Sequence, residues 1–148
     1  MPKSLWNAEA RQELLDRLER LKPDARQLWG GMNAPQMLAH LVDWMQMAKG
    51  ELRTKEKRLP LRYPMVKQLV IYWLPFPRGV PTAPELIGRE ASDWAGEHAA
   101  VCRHVESFEK LDQKSGWPVH PAFGKLTPRA WGVLGYRHID HHLRQFGV

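Results

Sequence analysis

Residues 127–148 read TPRAWGVLGYRHIDHHLRQFGV and hold three of the seven histidines of a 148-residue chain. Thr127 followed by Pro128 is an N-cap with proline at the first helical position, where no amide hydrogen is needed. Gly147 suits the residue just past a helix C-terminus. About five helical turns fit between these signals. At 100° per residue, Trp131, Leu134, Gly135, His138, His142 and Gln145 form one stripe. Ile139, Leu143, Phe146 and Tyr136 form a second beside it. Arg137, Asp140 and Arg144 take the remaining side, where Asp140 can pair with either arginine. Such a helix is buried on most sides, and two imidazoles one turn apart then face the interior.

Working back from that helix, residues 114–126 (KSGWPVHPAFGKL) are rich in turn formers and read as a loop. Before it, Ser92 caps a helix expected from about Asp93 to Asp112, with Trp94, His98, Val101, Val105 and Phe108 repeating in steps of four and three. At the other end of the chain, Asn7 can cap a helix from Ala8 to Leu21 with Leu14, Leu15, Leu18 and Leu21 as its buried face. Lys22 and Pro23 stop it, and a loop runs through Trp29, Gly30 and Gly31. Asn33 caps a second helix that Gly50 ends. Its core face is Met37, Leu41, Trp44, Met45 and Ala48, with His40 on the edge of that face. Between Glu51 and Ala91, prolines 60, 64, 75, 77, 81 and 84 exclude one continuous helix, although Met65 to Leu74 can make a short one. No alternating strand pattern appears. The expectation is an all-α domain over residues 1–148 with four main helices. The long link before the third allows the chain to recross the bundle, which predicts an up-down-down-up order with helices two and three parallel.

Composition sets the class. Hydrophobic residues at 43% and charged residues at 26% are ordinary globular values. No apolar run approaches membrane-spanning length, the N-terminus lacks a signal-peptide core, and the single Cys102 excludes an internal disulfide. A cytoplasmic protein without membrane partners is expected. The net charge of +6 would suit an anionic partner, but only Arg53 to Arg62 is densely basic, so nucleic acid ranks last among partners. The apolar run from Val70 to Pro77 (VIYWLPFP) is a candidate exposed patch and homodimer contact.

The chemistry sits with the histidines. His138 and His142, at i and i+4, can share a metal ion, and His40 offers a third inward imidazole from another helix. Three neutral imidazoles leave positions for water or substrate, and they suit zinc, nickel, copper or iron(II). His141 is a candidate partner behind the ligands; Trp44, Trp131 and His98 are candidate lining of the site. His98 reads as a core or pocket-lining histidine with one hydrogen-bond partner rather than a fourth ligand, His104 as surface, His120 as a loop-ordering residue and Cys102 as a packed thiol. The pair lacks the intervening glutamate of a zinc protease, and there is no phosphate-binding glycine loop or nucleophile elbow.

His40 in QMLAHLVDW, with His138 and His142 in YRHIDHHLRQFG, gives this chain a resemblance to the DinB/YfiT-like superfamily of helical bundles. The loop HPAFGKLT resembles one branch of it whose function is undefined. The resemblance runs through nearly the whole chain in helix order. It implies a divalent ion, nickel or zinc, held by His40, His138 and His142. It also implies either metal-dependent hydrolysis or transfer of a low-molecular-weight thiol to a small electrophilic substrate. The competing expectation is a non-catalytic binding or stress-response module whose histidines are structural.

Overall fold

A computed structural model of the chain describes residues 1–78, 93–114 and 116–148. Five α-helices are present among them: α1 (Ala8–Arg20), α2 (Ala34–Ala48), α3 (Pro64–Tyr72), α4 (Trp94–Ser107) and α5 (Pro128–Gln145). The described residues contain no strand, only one isolated antiparallel bridge between His120 and Gly124. The expectation of four main helices gains a fifth, because the proline-rich link folds Pro64–Tyr72 into a helix of its own. Ser92, expected to cap α4, lies outside the described residues, as does the part of the expected crossover from 79 to 91.

The caps explain where these helices start. Asn33 and Gln36 exchange side-chain and backbone hydrogen bonds at the start of α2, each 2.9 Å long, in a reciprocal capping box. Thr127 Oγ1 accepts from Ala130 N at 3.1 Å, and Pro128 occupies the first turn of α5. Asn7 stands at the N-cap position of α1 but makes no side-chain cap bond. Gly147, past the end of α5, has φ +74°, the left-handed geometry that favours glycine.

Side-chain pairs give the helix directions. Glu13 and Arg17 of α1 meet Tyr136 (3.0 Å) and Asp140 (2.7 Å) of α5 in the same order, so these helices run parallel. α2 meets α5 in reverse order, with Trp44 against Trp131 and His40 against His142. Lys49, just past the end of α2, reaches His104 (2.8 Å) and Ser107 (3.3 Å) at the end of α4, so α2 and α4 point the same way. His98, early in α4, bonds the carbonyl of Leu18 late in α1 at 2.8 Å, which makes those two antiparallel.

α2 is the central element. Its Met37, Leu38, Leu41 and Met45 have no exposed surface, and they join Leu14, Leu18, Val101, Val105, Ile139 and Leu143 in the core. Such burial is the main stabilising term of the fold. The N-terminal segment closes one side of α5 at Gly132 and Gly135. Leu5 N donates to Gly132 O at 3.0 Å and Trp6 Nε1 to Pro128 O at 2.8 Å. A Cβ on Gly132 would stand 2.3 Å from Trp6 Cδ1, so only glycine admits that indole.

Several polar side chains go where periodicity alone did not place them. Arg17, on the buried side of α1, bonds Asp140 and the carbonyl of Val148 (2.9 Å). Asp140 takes Arg17 and Arg144 rather than Arg137. Arg137 instead donates to the carbonyls of Val70 (2.7 Å), Ile71 (2.5 Å) and Leu74, filling unpaired acceptors at the C-terminal end of α3. α3 is thereby anchored by Ile71, which is fully buried, while Met65, Leu69, Trp73 and Leu74 stay exposed. The apolar patch thus begins earlier than Val70.

Candidate metal centre

His40 arrives on α2, one turn before Trp44, and His138 and His142 arrive on α5, whose antiparallel run against α2 carries all three to one place. His40 Nε2 lies 3.0 Å from His138 Nε2, which lies 3.1 Å from His142 Nε2. One ring nitrogen from each histidine can be chosen so that all three fall within 4.8 Å of one another. Ligands about 2.0–2.1 Å from a single ion stand roughly 2.8–3.4 Å apart at right-angled to tetrahedral geometry, so the two short edges already have that spacing. The group contains no carboxylate and no thiolate.

Electrostatics favour the metal-binding form of His138 and His142. Burial, then the neighbouring imidazoles His142 and His40, hold His138 well below the usual histidine pKa. Burial, then His40, pushes His142 down to about 3, against a raising hydrogen bond from Gln145. Neutral imidazole offers a lone pair, and only that form coordinates an ion. His142 Nδ1 lies 2.9 Å from Gln145 Oε1, and Gln145 Nε2 donates to Trp29 O at 2.7 Å. His40 and His142 are buried, at 4% and 8% exposure, whereas His138 keeps some accessible surface.

The other expected site residues divide. Trp44 stands edge-on to His138 with centroids 5.0 Å apart, and Trp131 lies behind it at 5.7 Å. His141 packs against Trp29 and His142 at 5.7 and 5.3 Å, half-buried beside the cluster. His98 is a correction: its ring sits between α4 and α1, with Nε2 on Leu18 O and Nδ1 3.9 Å from Cys102 Sγ, away from the three-histidine group. Leu18 O already accepts from Leu21 N at 3.1 Å, and His98 takes up its second lone pair. Burial pushes the Cys102 thiol pKa up, which leaves it protonated and inert. His104 is half-buried against Lys49 rather than free on the surface.

His120 holds its loop. Its Nδ1 accepts from the amides of Ala122 (3.1 Å) and Phe123 (3.2 Å), and its backbone pairs twice with Gly124, whose φ is +72°. The basic segment leans on the same loop. Lys57 N donates to Pro121 O at 2.7 Å, and Arg62 bonds Lys57 O (2.8 Å) and Glu56 (3.0 Å). Gln145 had stood on the α5 stripe without a role. The one signal available was its place one turn beyond His142 on the same face.

Among the described residues, two buried side-chain polar atoms lack any partner, Trp131 Nε1 and His138 Nδ1. Buried donors and acceptors are nearly always satisfied, so the unpartnered His138 Nδ1, on a ring of the cluster, is a place for a bound water or polar group. The fold and this cluster define a class: an all-helical protein with three inward imidazoles donated by two antiparallel helices. The chain belongs to the family described as protein of unknown function (DUF1569), whose profile matches residues 3–147. No curated protein and no solved structure matches it. Among the described residues, no helix is long and apolar enough to cross a membrane.

Proposed function

We propose that this chain is a cytoplasmic DinB/YfiT-like bundle enzyme that binds one nickel or zinc ion through His40, His138 and His142. Its reaction is hydrolysis of a small electrophilic substrate or transfer of a low-molecular-weight thiol to it. The observation that carries the reading is the convergence of three inward imidazole nitrogens without a carboxylate among them. Helix directions support the bundle, since α1 and α5 run one way and α2 and α4 the other. A dication held by three neutral ligands keeps its full charge, which makes it a strong Lewis acid toward a water or thiol in an open position.

The chain's own residues set the rest. Trp44 and Trp131 make an apolar wall that excludes water beside His138. No carboxylate joins the histidine group, so proton transfer falls to the substrate, the thiol or His141 at its edge. The test is a panel of small electrophiles, each offered with water alone and with a low-molecular-weight thiol, on the nickel- or zinc-loaded chain. Turnover should vanish in His138→Ala and on chelation. Turnover unchanged in His138→Ala would contradict the reading.

A further inference from the structure

Gln145 is the last residue of α5, and its backbone and side chain both engage the loop that follows α1. Gln145 O accepts from Leu28 N at 2.7 Å, while its side-chain amide stands between Trp29 O and His142 Nδ1. The hydrogen-bond roles follow by elimination. Trp29 O is a carbonyl and only accepts, so the amide nitrogen must face it. The amide oxygen then faces His142 and only accepts, so His142 Nδ1 must carry the ring proton. Its Nε2 is left as the bare lone pair, directed at His138 Nε2 3.1 Å away. A protein carbonyl 116 residues back in the sequence thus selects the tautomer of a ring in the cluster.

The loop is shaped to allow this. Gly30 has φ +81°, and a Cβ there would stand 2.5 Å from Gln145 Nε2. Any other residue at position 30 would push the amide off Trp29 O, besides straining the backbone. Gln145 itself is buried, at 4% exposure, so its bonds do not compete with solvent.

We infer that Gln145 is a positioning residue for the metal centre: clamped by Trp29 O, it holds His142 in the Nδ1–H tautomer with Nε2 turned to the ion. This rests on the metal-site reading above. Outer partners that fix a ligand's tautomer and angle are worth about tenfold to a hundredfold in metal affinity. The test uses the full chain with zinc alone, titrated against a chromophoric chelator, and with cobalt(II), whose visible absorption reports ligand geometry. The melting temperature of each metal-free variant is measured separately. Gln145→Leu should weaken zinc binding by about tenfold to a hundredfold and alter the cobalt spectrum. Gln145→Glu keeps the acceptor toward His142 and should bind more tightly than the leucine variant. Gly30→Ala touches no histidine, yet should reproduce part of the loss by displacing the amide. If the leucine variant does not fold, the glutamate and alanine variants decide by the same ordering. Wild-type affinity and spectrum in Gln145→Leu, or in Gly30→Ala and Gln145→Glu together, would overturn the inference. Absence of zinc binding by the wild-type chain would instead remove the metal-site reading beneath it.

Discussion

Two imidazole sets, the lone His120 of its loop and the three-histidine cluster, stand on either side of the Trp44–Trp131 pair, and they differ in what their nitrogens face. In the loop, His120 Nδ1 accepts two backbone amides, so that lone pair is spent on holding a turn. In the cluster, His138 Nε2 faces the Nε2 atoms of His40 and His142, and no carboxylate joins the group. Burial pushes His120 and His142 down to the same pKa, about 3. Burial and a depressed pKa therefore do not distinguish a structural histidine from a candidate ligand. The direction of the free lone pair does.

The largest effect should come from removing a ligand. Alanine at His138 or His142 should weaken metal binding by more than the roughly hundredfold that an outer partner costs. His120→Ala should leave metal affinity unchanged but lower unfolding free energy by about 2–4 kcal/mol, because two buried amides lose their acceptor. Metal titration and chemical denaturation of the three variants separate the two kinds of histidine. Equal metal loss from His120→Ala would erase the distinction.

The second effect is one of pH, measured on the metal-free chain. His120 and His142 both fall to about 3 in the folded state from 6.5, the value taken for the unfolded chain. Below 6.5 these two rings therefore bind more protons in the unfolded chain than in the folded one, so the stability they contribute falls as pH drops from 6.5 to about 3 and is constant above 6.5. Each ring contributes about 1.4 kcal/mol per pH unit within that window. Denaturant midpoints between pH 7 and 5 should show the loss, and His120→Ala should remove about half of this pair's share. No difference in pH slope between wild type and variant would contradict the assignment for His120.

A smaller effect tests the wall between the two sets. A Cβ on Gly135 would stand 2.6 Å from Leu5 Cδ1 and 3.3 Å from Trp44, so Gly135→Ala should overpack this contact. The expected cost is about 1–3 kcal/mol, with a shift in the tryptophan fluorescence as Trp44 moves against His138. The smallest effect lies at the exposed C-terminal end of α3. Trp73 is 79% exposed, and Trp73→Ser should change stability by less than about 0.5 kcal/mol. If the α3 strip is a homodimer contact, the same change should lower self-association in sedimentation without touching metal affinity. A wild-type monomer at high micromolar concentration would contradict the dimer.

The parts of the fold that repeat were legible in the sequence. His138 and His142 share a face because they are four residues apart on a helix, and His40 borders the core face of α2 through the same periodicity. The caps Asn33 and Thr127 also declared themselves, since capping is local chemistry. Periodicity says which way a side chain points, not which neighbour it meets. Arg137 lies on the polar side of α5, and nothing local reveals that the C-terminal carbonyls of α3 await it. His98 repeats with the apolar line of α4, yet its neighbour is α1 rather than the cluster. Gln145 acquires its role from Trp29, a residue brought near only by the packing of the loop on α5.

The central claim is that three imidazoles from two helices hold one ion. Elemental analysis of the purified chain after dialysis against nickel or zinc, beside His40→Ala, His138→Ala and His142→Ala, tests it most directly. The account predicts one equivalent of metal per wild-type chain and far less in each variant, with helical content retained in all. A wild-type chain without stoichiometric metal, or variants that keep it, would contradict the account.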